Sequence, residues 1–84
     1  MKVEQMTTTV EGVTLTYRVF RQVFGDREGY TVTVREEYGD SVNRCELPDV
    51  TEDRDKARRI ADFLCQNAVT VSSVYDIWVE NFCS

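Results

Sequence analysis

The apolar residues of this chain repeat on two different periods, and the change falls at Pro48, the only proline. Before it, Val13, Leu15, Tyr17 and Val19 alternate with Thr14, Thr16 and Arg18, and Tyr30, Val32 and Val34 alternate with Thr31, Thr33 and Arg35. A period of two places one apolar and one polar face on each segment, as in half-buried strands. After it, Ala57, Ile60, Ala61, Leu64, Cys65 and Ala68 recur at helical spacing and draw one apolar stripe. A chain that begins in strands and ends in helices resolves into two layers.

The connections between strands carry turn chemistry. Gly25 to Gly29 is polar and glycine-bounded and is expected as a loop. Gly39-Asp40 reads as a two-residue hairpin turn leading into a strand from Ser41 to Leu47. Thr7 to Val10 is rich in β-branched residues and ends at Glu11-Gly12, so an additional N-terminal strand is expected. In the second half, Thr51 is the expected N-cap, and Glu52, Asp53 and Asp55 suit the positive end of the helix dipole. Asn67 is expected to end this helix in a left-handed conformation, and Thr70 to cap a second helix running through Val74, Trp78 and Phe82. The many β-prone residues of that last segment leave a final strand as the alternative. The fold class is therefore α+β: an antiparallel sheet of three to four strands in a β-meander, followed by two helices packed on one face. Residues 1–84 are read as a single domain, since no linker, repeat or low-complexity block divides them.

If the Gly39-Asp40 turn pairs Tyr38 with Ser41, then Val34 meets Cys45, Val32 meets Leu47 and Arg35 meets Arg44. Aligning apolar residues across the longer loop pairs Val23 with Tyr30 and Val19 with Val34, which sets Arg18 against Arg35. Arg18, Arg35 and Arg44 then form one row on the face that the helices leave open. Like charges directly opposite destabilise a sheet, so the row requires counter-charge. Glu37 and Glu46 can supply it diagonally; the sharper reading is a bound carboxylate, phosphate or acidic partner surface, which arginine forks hold bidentately.

Charge and composition narrow the functions. Ten Lys plus Arg against fifteen Asp plus Glu give a net charge of -5, which disfavours nucleic acid and anionic lipid. No histidine is present, so the commonest general base and metal ligand is missing. Cys45, Cys65 and Cys83 have no Cys-x-x-Cys spacing and are read as free thiols, the first two in the core. Asp76 and Glu80, four apart, read as solvated surface, and Trp78, Tyr75 and Phe82 as core, with an exposed aromatic patch as the alternative. No cofactor, metal or catalytic residue is expected. Without a signal-peptide or membrane-length apolar run, the chain is expected in the cytoplasm.

Three stretches carry a resemblance: Tyr30 to Val34; Asp49 to Asp53 leading into Ala57 to Leu64; and Ala68 to Thr70 leading into Val74 to Trp78 and Phe82. In these the chain resembles a family of small uncharacterised proteins, a domain of unknown function, from Gram-positive, mostly anaerobic bacteria. It departs from that family at Val71, where a proline often follows the threonine. The resemblance implies a cytoplasmic bacterial protein and brings no activity, cofactor or catalytic residue. The leading functional expectation is a small non-catalytic interaction module that binds a protein partner or itself, an edge strand such as residues 41–47 or the N-terminal strand serving a homodimer. The alternative is binding or sensing of a small anion at Arg18, Arg35 and Arg44, and an enzyme is the third and least supported reading.

Overall fold

The computed structural model describes residues 4–83. Four antiparallel strands, β1 (Glu4–Val10), β2 (Val13–Phe24), β3 (Arg27–Tyr38) and β4 (Ser41–Thr51), lie in sequence order as a meander. The helices α1 (Arg54–Gln66) and α2 (Val74–Phe82) follow and cover one face. The N-terminal strand is present as an edge, and the last segment is helix, not strand.

The two hydrophobic periods meet in the core. Leu15, Tyr17, Val19, Val32, Val34 and Leu47 project from the sheet onto Ala57, Ile60, Ala61 and Leu64 of α1, and all ten are buried. Small Ala57 and Ala61 let the helix approach the sheet closely, while Ile60 and Leu64 fill the space between strands. α1 crosses the sheet, whereas α2 packs mainly on the end of α1, burying Val74 and setting Phe82 edge-on to Phe63 with ring centroids 5.5 Å apart. Trp78 is half-buried and Tyr75 and Val79 are exposed, so the aromatic residues of α2 divide between core and surface. Cys45 and Cys65, expected in the core, are likewise half-buried at its margin.

One strand register differs from the expectation. Gly25 to Gly29 is not an open loop: the chain reverses at Gly25 and Asp26, and Arg27 to Gly29 join β3 opposite Phe24 to Gln22. Tightening the turn slides β3 by two residues, so Val19 pairs with Val32 and Tyr17 with Val34. An even slip keeps every side chain on its original face, which is why the core survives it. The β3–β4 register is as expected, with Val32 opposite Leu47 and Arg35 opposite Arg44, until a bulge between Tyr30 and Val32 sets Tyr30 against Thr51. Pro48, which has no N–H to give a ladder, stands in that bulge. The bulge folds Asp49 over Thr31, whose Oγ1 accepts a hydrogen bond from Asp49 N and donates to Gln22. Arg27 holds the Asp49 carboxylate, and the Arg27 side-chain hydrogen bond keeps that carboxyl below the usual range. A Cβ at Gly29 would collide with the same carboxylate, so any larger residue there must displace Asp49 from its place beside Arg27.

Helix boundaries also shift. Asp53, not Thr51, caps α1: its Oδ1 accepts from Asp55 N at 2.9 Å, while Thr51 Oγ1 accepts from Asp53 N one step earlier. Asn67 is not left-handed, with φ at -98°, and Ala68 takes that conformation at φ 47°. Val69 N donates to Leu64 O and Ala68 N to Cys65 O, the paired bonds of a Schellman end. Thr70 does not cap α2 with its hydroxyl, which bonds Ser72 and Ser73; its carbonyl instead accepts from Ser73 N and Val74 N. An L-residue at Ala68 forgoes the glycine that this position favours. Ala68→Gly is therefore expected to stabilise the fold by about 0.5–1 kcal/mol, a rise in Tm of a few degrees in a thermal melt. A lower Tm would show that the half-buried Ala68 methyl outweighs the backbone strain.

Candidate functional site

The face opposite the helices is built from the outward half of each alternation. Across it run two rows: Gln5, Arg18, Thr33 and Glu46, then Thr7, Thr16, Arg35 and Arg44. The expected row of three arginines is thus corrected. Arg18 stands opposite Thr33, one row away from Arg35, and the three guanidinium-bearing residues form a triangle. Arg35 and Arg44 remain directly opposite, the part of the pattern fixed by the two-residue turn at Gly39-Asp40. The three residues therefore share one face, as the sequence implied, with only the Arg18–Arg35 pairing lost.

All three arginines are exposed, and each has a different local environment. Arg18 Nε donates to Gln5 Oε1 at 2.9 Å, a neutral partner that orients the guanidinium without cancelling its charge. Arg35 Nε lies 3.6 Å from Glu37 Oε1, two residues on along the same strand. Glu37 therefore neutralises part of Arg35, along the strand and not diagonally as expected. Among the described residues Arg44 forms no ion pair, and Glu46 forms none either. An exposed ion pair of the Arg35–Glu37 kind contributes about 0–1 kcal/mol, too little to fix these charges against a competing anion.

Between the arginines lies a shallow groove of about 360 Å³. Its lining adds Thr16, Thr33, the half-buried Phe20 and the carboxylates of Glu37 and Glu46, so hydroxyls, an aromatic edge and two negative charges accompany the three guanidinium groups. Gln5 was not singled out from the sequence, because only the pairing with β1 brings it alongside Arg18, whereas the alternation that sends Arg18 outward also places Phe20 on this face.

Elsewhere the chemistry is sparse. Asp76 and Glu80 are exposed on α2. Burial pushes the Cys65 thiol up, with the Asp62 charge adding to it, so this sulfur stays protonated and a poor nucleophile. Among the described residues no three His, Cys, Asp or Glu side chains converge as a metal site. No helix of the described residues is long and apolar enough to cross a membrane. A second groove, of about 370 Å³, lies between the end of α1 and the start of α2, lined by Phe63, Val69 and Ile77. It offers apolar surface and no charged group. Comparison with family models, with curated proteins and with solved structures found no match to this chain.

Proposed function

We propose that this chain is a small, non-catalytic cytoplasmic interaction module whose open sheet face takes the carboxylates of an acidic partner protein through Arg18, Arg35 and Arg44. The observation that carries the reading is Arg35 directly opposite Arg44, with Arg18 one row away, on a chain of net charge -5. Two guanidinium groups directly opposite across β3 and β4 cost folding energy, and a bound carboxylate between the forks relieves it. Acidic surface elsewhere on the chain orients approach, since complementary fields steer encounter and repel other geometries. A second reading, a small polyanion held in the groove, draws on the Thr16 and Thr33 hydroxyls, which would orient a compact ligand.

Titration of ¹⁵N-labelled protein with a hexaglutamate peptide separates these readings, with hexalysine as control. Hexaglutamate is expected to move the amide resonances of Thr16, Arg18, Thr33, Arg35 and Arg44, and Arg18→Glu/Arg35→Glu to weaken binding about tenfold or more. Both arginines are exposed, so the variant keeps the fold. Shifts with citrate but not with the peptide would favour the small-anion reading. Silence with both would remove the face as a binding site.

A further inference from the structure

The sheet has two free edges, and they differ. At β1, Glu4 turns inward beneath α1, with Oε1 3.1 Å from Arg54 Nη2 and the side chain only 17% exposed. An inward-facing charge is one way to blunt a sheet edge against further pairing. At β4, Ser41 to Arg44 are exposed, and Cys45, Leu47 and, past the bulge, Val50 turn toward the core. This edge carries alternating charge of both signs.

Backbone direction limits what β4 can pair with. Tyr38 and Ser41 flank a two-residue turn and form a hydrogen-bonded pair, so residues 41, 43, 45 and 47 aim their N–H and C=O groups at β3. Val42, Arg44 and Glu46 aim theirs outward. A second, antiparallel copy of the strand must match outward-aimed residues with outward-aimed residues, which leaves few registers. Two of these oppose Arg44 to the partner's Arg44, or Glu46 to the partner's Glu46, and like charges directly opposite are unfavourable. A third sets Val42 against the partner's Arg44 and leaves Glu46 without a cation. The register centred on Cys45 sets Arg44 against the partner's Glu46 and Glu46 against the partner's Arg44. It supplies two ion pairs by symmetry to the two charged groups of β4 that have none within the described residues. It also sets Arg44, which faces Arg35, beside a carboxylate.

We propose that the free edge of β4 binds β4 of a second copy of this chain in an antiparallel, two-fold symmetric dimer centred on Cys45. The sheet then runs unbroken across the axis, with both α1 helices on one face and both arginine clusters on the other. The turn at Gly39-Asp40 and the bulge at Pro48 bound the pairing segment, so the contact is small and the association weak. The inference does not rest on the acidic-partner reading, which is tested at Arg18 and Arg35, whereas this one is tested at Arg44 and Glu46 by mass alone.

Sedimentation equilibrium on the full chain from about 10 µM to about 1 mM, the range for weak association, is the test. The average mass is expected to rise toward two copies. Arg44→Glu and Glu46→Arg are each expected to weaken association about tenfold or more, and Arg44→Glu/Glu46→Arg to restore it. Oxidation with diamide should link Cys45 to the partner's Cys45, since directly opposite, non-hydrogen-bonded residues stand about 4.5 Å apart at Cα, within disulfide reach. A monomer mass throughout, a dimer indifferent to the single swaps, a double swap no better than the singles, or cross-links confined to Cys83 would each overturn the proposal.

Discussion

Leu64→Ala is expected to lower stability by about 2–5 kcal/mol, the range for emptying a buried leucine site. A domain of 84 residues holds about 4–13 kcal/mol in all, so this one change removes a large share of it. Leu64 is fully buried in the cluster formed by α1 and the sheet, and its carbonyl accepts the Val69 N–H at 3.0 Å in the bond that ends α1. The side chain supports the sheet–helix contact, while the backbone bond to Val69 is kept in Leu64→Ala, so the loss reads the packing alone. With ~1 kcal/mol corresponding to about 4–8 °C in a domain of this size, Tm should fall by about 10 °C or more. Arg59→Ala, on the exposed side of the same helix, should stay within about 0.5 kcal/mol. Thermal and urea melts on both variants measure the contrast. A loss below about 1 kcal/mol for Leu64→Ala would mean that α1 does not seal the sheet as described.

Tyr17→Phe addresses a polar bond in the same core. Tyr17 sits mid-strand on β2 with no exposed surface, and its hydroxyl donates to Val69 O at 2.7 Å across 52 residues of sequence. It ties the centre of the sheet to the end of α1. Phenylalanine keeps the ring and strands a buried carbonyl without a donor, at a cost of about 1–3 kcal/mol. Burial, first, and then repulsion from Cys65, once that thiol ionises at high pH, and from the Glu36 carboxylate hold the Tyr17 phenol well above its ordinary range. The unfolded chain releases that proton near pH ~10 while the folded chain keeps it. The contribution of Tyr17 is therefore intact below about pH 10 and is lost progressively as pH rises above it. Wild type should lose stability between pH ~9 and ~11 more steeply than Tyr17→Phe, as read from urea midpoints. Tyr30, Tyr38 and Tyr75 remain in both proteins, so the difference isolates Tyr17. Equal slopes would show that this phenol is not held protonated.

How far the sequence reaches is clearest on the open face. The alternation around Arg18, Arg35 and Arg44 sends all three outward whatever the turn geometry, and the tight turn at Gly39-Asp40 leaves one pairing for Arg35 and Arg44. The partner of Arg18 depended on a glycine pair. Gly25 and Gly29 bracket three charged residues that read as a loop, yet of the two glycines only Gly25, at φ 66°, turns the chain. Gly29 is a strand residue placed under Asp49 by a bulge on a different strand. Pro48 was the available sign of that bulge, because a proline inside a strand has no N–H for the ladder. Nothing near Gly29 in sequence reports it. The helix ends behaved similarly: Thr51, Asp53, Asn67 and Thr70 are all competent cap residues, and local preference cannot choose among neighbours of similar strength.

By itself the sequence determined the layer order, the cores of three strands with a fourth as a candidate, the helical stripe on α1 and the face on which the alternating side chains lie. These follow from the period of the apolar residues, a local property that every register of the correct parity preserves. Tertiary structure alone decided the two-residue slip between β2 and β3, the bulge that buries Thr31, the left-handed Ala68 and the division of the α2 aromatics between core and surface. Each of these depends on groups distant in the chain meeting in space, as Asp49 meets Gly29 and Val69 meets Tyr17, and on the packing of the whole core.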